Sequence, residues 1–418
     1  MARILIPEGL ARNVLAAVRA LGRAGHTITI ASYSSDSKTE PIKSSLSRYV
    51  SSEVRIHSPH IDPDAYVSDL VSILLHDEHD VLLPFTHGAV LPISLHLEEL
   101  SALAAIPFPT YKVLSQAHDK LETARLAYRL GIHIPVTWEV RNESELIALK
   151  DELVYPSLVK ARQGCGIGKT IRFAKNFDEL LRGYREITLQ SSTPPINDFQ
   201  HLIIQEYIPG QIHDGLFLYE DGLCRLAVSQ ERVVTYPAQG GTGAVNRTTD
   251  NPMILDIGRR LLNELGWHGP AQVEVKFDPR DGKYKLLEIN PKFWGTLACS
   301  MAAGVNFPEM AVQMALGKVN HWQEDYMVGW AYTWFFPDTI YSLFRQFSWH
   351  NLFAALGKDS RKVRFDWDWQ DPMPDIWRVR RTFGTLLRNR KMILSSSDEL
   401  NQLALQKLPA IQKESSLY

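Results

Sequence analysis

The segment Gly164-Cys-Gly-Ile-Gly168 stands between two strand-like stretches, Ser157–Lys160 and Thr170–Phe173, with Lys160 closing the first and Lys169 directly after the last glycine. Gly164, Gly166 and Gly168 let backbone N–H groups approach phosphate oxygens closely, and Lys160 and Lys169 supply point charges that neutralise them. The pattern reads as a phosphate cradle, with a plain glycine-rich hairpin turn as the competing reading. It is not a P-loop, because no Gly-x-x-x-x-Gly-Lys-Ser/Thr runs into a helix. Further along comes Glu288-Ile-Asn-Pro-Lys292, where strand alternation puts Glu288 and Asn290 on one face. Glu274, on the preceding strand, can lie opposite them across the hairpin turn Asp278-Pro-Arg-Asp-Gly282. Two carboxylates and an amide oxygen are hard ligands that suit Mg2+ bridging nucleotide phosphates, whereas solvent-facing polar residues on a half-exposed hairpin are the alternative. No His and Cys set of the zinc type accompanies them.

These residues need a large scaffold. The chain has 418 residues, too many for one ordinary core, so two or three packed lobes are expected. Lys plus Arg is 45 against 47 Asp plus Glu, a net charge of −2, so no whole-chain basic field draws it to nucleic acid. Hydrophobic residues at 45% and charged residues at 22% describe a folded body. Three scattered cysteines, Cys165, Cys224 and Cys299, fit a reducing compartment, and no run approaches the roughly 18 apolar residues of a membrane span, so a cytoplasmic location is expected.

Along the chain, residues 2–7 read as a buried strand, 12–24 as a helix and Thr27–Ala31 as a second strand. Asp80–Pro84 and the helical pattern from Val90 to Leu103 continue a doubly wound α/β unit. Only Gly9 follows the first strand, so the dinucleotide fingerprint Gly-x-Gly-x-x-Gly is missing and nicotinamide chemistry is disfavoured. A helix starting at Asp119 stops at Gly131, Leu202 to Gly210 is a strand entering a turn, and Ala271–Phe277 and Tyr284–Ile289 form the hairpin noted above.

In this order the motifs resemble the ATP-grasp superfamily, in the branch of biotin carboxylase-like and carbamoyl phosphate synthetase-like carboxylate–amine ligases; the resemblance covers roughly residues 1–320. It implies a mixed α/β ATP-grasp fold with three parts. These are a Rossmann-like first domain over 1–115, an ATP-grasp domain over 116–320 (central lobe about 137–208, C-terminal lobe about 209–320) and an aromatic and basic extension over 321–418. It implies that Lys120, in Asp119-Lys-x-x-Thr123, and Lys160 reach nucleotide phosphates, and that Gly164 to Gly168 fold over ATP. Gln205, Glu206, Tyr207 and Ile208 would read adenine, with Asp214 at the ribose, while Glu274, Glu288 and Asn290 bind Mg2+, for which Mn2+ can substitute. Lys292 stands where the family usually carries arginine, keeping the charge but losing the planar fork.

The implied reaction activates a substrate carboxylate as an acyl phosphate and passes it to an amine, an amino acid being the expected nucleophile. Arg247, in the loop Gln239–Arg247, is the first candidate for holding the phosphorylated carboxylate and Arg232 the second, with Lys292 beside them. The expected partners are thus small-molecule carboxylate and amine substrates, with a homodimer as a compatible assembly. Biotin-dependent carboxylation is the rival enzyme reading, although no Met-Lys biotinyl site occurs in the chain. A non-catalytic nucleotide-binding scaffold at a membrane surface is the rival of another class. It draws on Ile376, Val379, Phe383, Leu386 and Leu387 at helical spacing among Arg378, Arg380, Arg381, Arg388, Arg390 and Lys391, but a packed helix with a solvated basic face is favoured over it. His87 is expected to be an ordinary loop histidine.

Overall fold

A computed structural model describes residues 1–33, 43–164, 170–236, 241–323, 325–340 and 362–388. The first lobe is built on four parallel strands, β1 (Arg3–Ile6), β2 (Thr27–Ser32), β3 (Val50–Arg55) and β4 (Val81–Leu82), in the order β3-β2-β1-β4. A parallel sheet must be covered on both faces, which is why Ile4, Leu5 and Ile6 are consecutive and all buried. Helix α1 (Arg12–Arg23) packs on one face, and α2 (Pro63–His76) and α3 (His87–Leu95) on the other; α4 (Leu97–Ser101) follows.

Helices α5 (Tyr111–His118) and α6 (Lys120–Arg129) connect this lobe to the next. The turn between them is fixed by Asp119, whose carboxylate caps α6 by accepting from the Leu121 amide at 2.9 Å and the Glu122 amide at 3.3 Å. The small central lobe pairs β5 (Thr137–Val140), β6 (Ser157–Gln163), β7 (Ile171–Ala174) and β8 (Asp198–Glu206) antiparallel in the order β5-β8-β6-β7. Helices α7 (Glu143–Ala148) and α8 (Phe177–Thr188) cover one face and leave the other for the site.

A seven-stranded sheet forms the large lobe, in the order β13-β12-β9-β10-β11-β14-β15. Its members are β9 (Ile212–Glu220), β10 (Leu223–Tyr236), β11 (Thr242–Thr249), β12 (Gly269–Asp278), β13 (Lys283–Asn290), β14 (Ala331–Thr333) and β15 (Val363–Phe365). Helix α9 (Pro252–Glu264) packs on one face. On the other, Leu216, Leu218, Phe293, Trp294 and Phe307 join Ile4, Ile6, Val14 and Leu21 in a single core, so the first and large lobes share their interior. Helices α10 (Leu297–Ala302) and α11 (Phe307–Ala315) complete that junction.

Two expectations change. Residues 242–249 are a strand, not a loop, and Arg247 lies within β11; Gln239 and Gly240 lie outside the described residues. Within the extension after 320, β14 and β15 join the edge of the large sheet. The final helix, α12 (Met373–Arg388), also inverts the expected burial. Asp375, Arg378 and Thr382 are inside, whereas Ile376 and Phe383 are about half exposed. What holds it is charge. Arg19 of α1 donates to Asp371 at 3.0 Å and Asp375 at 2.9 Å, and Arg378 pairs with Asp375 at 2.9 Å and Asp366 at 2.8 Å. Leu386, Leu387 and Arg388 offer no described side chain, and Arg390 and Lys391 lie outside the described residues. Among the described residues no helix is long and apolar enough to cross a membrane.

Arg19 is only 8% exposed, so Arg19→Leu leaves two carboxylates short of their counter-charge. A loss of on the order of 3 kcal/mol is expected, read as a lower urea midpoint with unchanged slope. A midpoint equal to the parent's would show that this network does not fasten the C-terminal segment.

Candidate active site

Glu288, Glu274 and Asp214 are directly paired across β13, β12 and β9, so three carboxylates stand in a row on one sheet face. Arg232, on β10, answers two of them. It donates to both oxygens of Asp214, at 2.7 and 3.1 Å, and lies 2.5 Å from Glu274. Asp214 is fully buried and also accepts from Gln230 at 2.8 Å, so the residue assigned to the ribose is the buried end of the acidic row. Burial, with Glu288 adding to it against the pull of Arg232, raises the Glu274 carboxyl to about 7. Against the same cost of burial, Lys120 and Lys160 hold Glu288 below its usual range.

Asn290 fits the same set. Its amide nitrogen donates to Glu274 at 3.0 Å and Glu288 at 3.2 Å, placing a partial positive charge between the two carboxylates. Turning the amide would present its oxygen instead, and the three groups would then offer oxygen donors to a divalent cation. Two carboxylates and one amide are fewer ligands than Mg2+ requires. Among the described residues no group of three or more His, Cys, Asp and Glu is arranged to hold a metal ion.

Lys120, from the start of α6, Lys160, from β6, and Gly164, directly after β6, meet this face from the other side. Lys120 Nζ donates to the Gly164 carbonyl at 2.7 Å and lies 3.6 Å from Glu288. The Gly164 amide faces His118 Nε2 at 3.2 Å, so the α5–α6 corner grips the first residue of the glycine loop at both its N–H and its C=O. Glycine is required there: φ is +121°, and a Cβ would stand 3.0 Å from Thr170 and 3.2 Å from Asn197. Burial lowers Lys160 to about 8, and its Nζ donates to Gln205 Oε1 at 2.5 Å. Gly166, Gly168 and Lys169 lie outside the described residues, as does Cys165.

The hinge follows directly from β8. Glu206 is fixed by Arg280 at 2.5 Å and by the Val136 amide at 3.2 Å, while Gln205 donates to Thr137 Oγ1 at 3.1 Å. Tyr207 is buried, with its ring edge-on to Phe173. Lys276 is a residue that sequence reading missed. Its Nζ donates to the Ile208 carbonyl at 2.7 Å, sits 4.4 Å from the Tyr207 ring and is pushed by burial down to about 7. It lies two positions after Glu274 on β12, so the alternation that gathered the acids would also have found it.

Of the arginines, Arg232 faces the site and Arg247 does not. Arg232 pairs across the strands with Asn246, whereas Arg247 pairs with Glu231 on the opposite face at 3.2 Å, its side chain about half exposed. The physical reason is strand parity, since neighbouring residues point to opposite sides. A second arginine without any sequence signal, Arg12, reaches the junction from α1. It donates to the carbonyls of Gly295 at 2.6 Å and Gly243 at 3.0 Å and to Asp338 at 2.7 Å, with its guanidinium 4.1 Å from the Trp334 ring centre. Lys292, whose Nζ donates to the Phe293 carbonyl at 3.4 Å, acts electrostatically on Glu8 and His87 of the first lobe. Glu8 is buried and bonded to the Phe85 and Thr86 amides at 2.6 and 2.9 Å. His87 opens α3, with its ring 5.2 Å from His118, and is buried, unlike the loop histidine expected; its Nδ1 has no partner among the described residues.

The comparisons agree with this geometry. Residues 198–333 match the family model described as ATP-grasp in the biosynthetic pathway with Ter operon. The D-aspartate ligase of Enterococcus faecium is 25% identical over 217 residues, 47% of this chain and 49% of that enzyme, so the chain spans about half of its length. Biotin carboxylase of Campylobacter jejuni superposes with a TM-score of 0.63 at 14% identity, covering 79% of this chain and 74% of that one. L-amino acid ligase of Bacillus licheniformis gives 0.59 at 16% identity, covering 76% and 74%. The chain has the ATP-grasp fold.

His118 yields a pH prediction. Burial, with Lys120 adding to it, lowers its ring to about 4, so between that value and the unfolded value near 6.5 the unfolded chain binds more protons. Stability should therefore fall as the pH drops from about 6.5 to 4, by up to about 3 kcal/mol from this ring. Urea unfolding of His118→Gln is expected to show a correspondingly flatter profile. Parallel profiles would show that the ring is not held neutral.

Proposed function

We propose that this protein is an ATP-dependent carboxylate–amine ligase, forming an amide with release of ADP and phosphate. The observation that carries the reading is the facing of Glu274 and Glu288 by Lys120 and Lys160 across the gap between two sheets. A binding-only module gains nothing from burying such a set, whereas phosphoryl transfer needs charge placed around the γ-phosphate. Mg2+ at Glu274, Glu288 and Asn290 would supply that charge. Lys120 and Lys160 neutralise the phosphates, and the Gln205–Ile208 hinge with Lys276 receives the base. A substrate carboxylate oxygen attacks the γ-phosphorus and ADP leaves. The amine nitrogen then attacks the acyl carbon, phosphate leaves with the bonding pair, and the amine proton passes to solvent. Arg232, with Arg12 behind it, takes the anion-holding role first given to Arg247. Two of the relatives are named for amino acid ligation, which fits an amino acid as the amine.

The test is ADP release from MgATP across a matrix of carboxylic acids and amino acids, with bicarbonate as a separate arm and product masses measured. ADP that requires one acid and one amine, with the condensed mass, is expected. ADP with bicarbonate alone would favour the carboxylase reading, and ATP binding without release in any well would end the ligase reading. Glu288→Ala is expected to remove turnover with the fold intact. Lys160→Ala should weaken MgATP roughly tenfold or more by titration calorimetry, because a buried counter-charge to phosphate is lost; equal affinity would take Lys160 out of the nucleotide site.

A further inference from the structure

Helix α12 has two faces of opposite chemistry, and the fold uses only one of them. Asp375, Arg378 and Thr382 turn inward and are buried, fastened by Arg19 and Asp366. Met373, Ile376, Arg380 and Phe383 are spaced three and four residues apart, so they fall together on the opposite side. Met373, Ile376 and Phe383 are each about half exposed, and Arg380 is exposed. The Phe336 ring stands 6.1 Å from that of Phe383. Trp369, shortly before the helix, is 84% exposed. Apolar side chains at helical spacing thus stand in solvent while an ionic face is buried.

The margin of this outward face is basic. Arg380 has no ion pair among the described residues, and the Arg381 guanidinium lies 5.4 Å from the centre of the Trp377 ring. Arg48 is exposed and donates to the Gln370 carbonyl at 3.3 Å, beside Trp369. The acids of the segment do not offset these cations at the surface: Asp371 and Asp375 are buried on Arg19, and Asp368 is paired with Arg19 and Arg23. In sequence the basic run goes on through Arg388, Arg390 and Lys391, with no acid between 378 and 391. Charge also weighs against two other coverings. A symmetric contact with a second copy would bring basic margins against each other. The stretch 341–361, outside the described residues, holds Arg345, Lys358 and Arg361 against Asp359 alone.

We propose that the outward face of α12 docks the protein on an anionic phospholipid surface. Met373, Ile376 and Phe383 enter the boundary between headgroups and acyl chains, Trp369 anchors the start of the segment at headgroup level, and Arg380 and Arg381 meet lipid phosphates. The contact is peripheral, because no described helix is long and apolar enough to cross a membrane. Arg19 and Arg378 already hold the helix on the body, so the surface meets a preformed face and binding does not have to order it. The docking surface does not depend on the reaction assigned to the cleft.

The test is flotation of the full chain with vesicles of phosphatidylcholine alone and of an equal mixture with phosphatidylglycerol. Binding to the mixed vesicles is expected, falling as salt is raised and weaker by roughly tenfold or more on phosphatidylcholine alone. Met373→Gln combined with Ile376→Asn removes apolar surface without changing charge and should weaken mixed-vesicle binding about tenfold. Arg380→Gln should weaken it about fivefold. All three positions are exposed, so the urea midpoint is expected to stay at the parent's value in both variants. No binding to mixed vesicles, equal binding to the two compositions, or insensitivity to both variants overturns the proposal. Binding that falls with Arg380→Gln but not with the neutral apolar variant marks a general polyanion patch and overturns it too. A dimer in light scattering that the apolar variant dissolves, without vesicle binding, gives the face to a second copy instead.

Discussion

Glu288, Glu274 and Asp214 occupy facing positions on three adjacent strands, and like charges set opposite one another in a sheet repel. That row is affordable only because positive groups reach it from three parts of the chain. Arg232 comes from β10 of the same sheet, Lys120 from the corner between two linker helices, and Lys160 from the central lobe. Three acids therefore face three bases, and the count is nearly neutral without any ligand. A triphosphate entering this balance adds negative charge that the lysines alone do not cancel, so a nucleotide that binds here is expected to bring a divalent cation with it. Burial first, then the neighbouring Glu288 and Asp214, holds the Glu274 carboxyl up at about 7 against the pull of Arg232.

The same demand explains why the lobes are tied as they are. Lys120 and His118 grip opposite sides of the Gly164 peptide, so the start of the glycine loop is positioned by the linker and not by its own strand. Lys160 reaches Gln205 within the central sheet, and Arg280 of the large lobe closes on Glu206 at the hinge. The two ends of the cleft are thus each held by groups from different parts of the chain. Relative movement of the lobes would change both ends of the cleft together.

Much of this was legible in the residues. The paired acids followed from alternation on a hairpin whose turn, Asp278 to Gly282, is explicit, and the doubly wound first unit followed from alternating strand and helix patterns, whereas the division into three lobes came from the resemblance to the ATP-grasp superfamily. The arginine was not. Arg232 and Arg247 lie on two strands whose register the sequence does not fix, and a register shift between Arg232 and Val234 further breaks simple counting, so parity could not tell which one faced the acids. Asp214, a lone acid after a hinge, carries no sign that an arginine eighteen positions on will pair with it. Arg12 had no signal at all, since its role depends on carbonyls of Gly243 and Gly295 that are distant in sequence. Helix α12 misled for a related reason. Apolar spacing assigns a buried face when the partner surface is apolar, but its partner is Arg19, and the face that turned inward was the one carrying Asp375 and Arg378.

Arg12 has a further consequence. Its guanidinium lies between two systems that otherwise share no side chain: the acidic row balanced by Arg232, and the aspartate and arginine network that fastens α12 to α1. Burial, with the Arg232 cation adding to it, lowers its affinity for a proton, and Asp338 offsets that cost while Trp334 covers the cation. A buried cation held by one carboxylate, two carbonyls and one ring has little freedom to move, so the C-terminal segment and the reacting end of the cleft are set at a fixed separation. The strands β14 and β15 therefore do more than lengthen a sheet. They carry Trp334 and the start of the segment to α12 to the point where α1 presents Arg12, which makes the last described part of the chain a wall of the cavity that α1 lines.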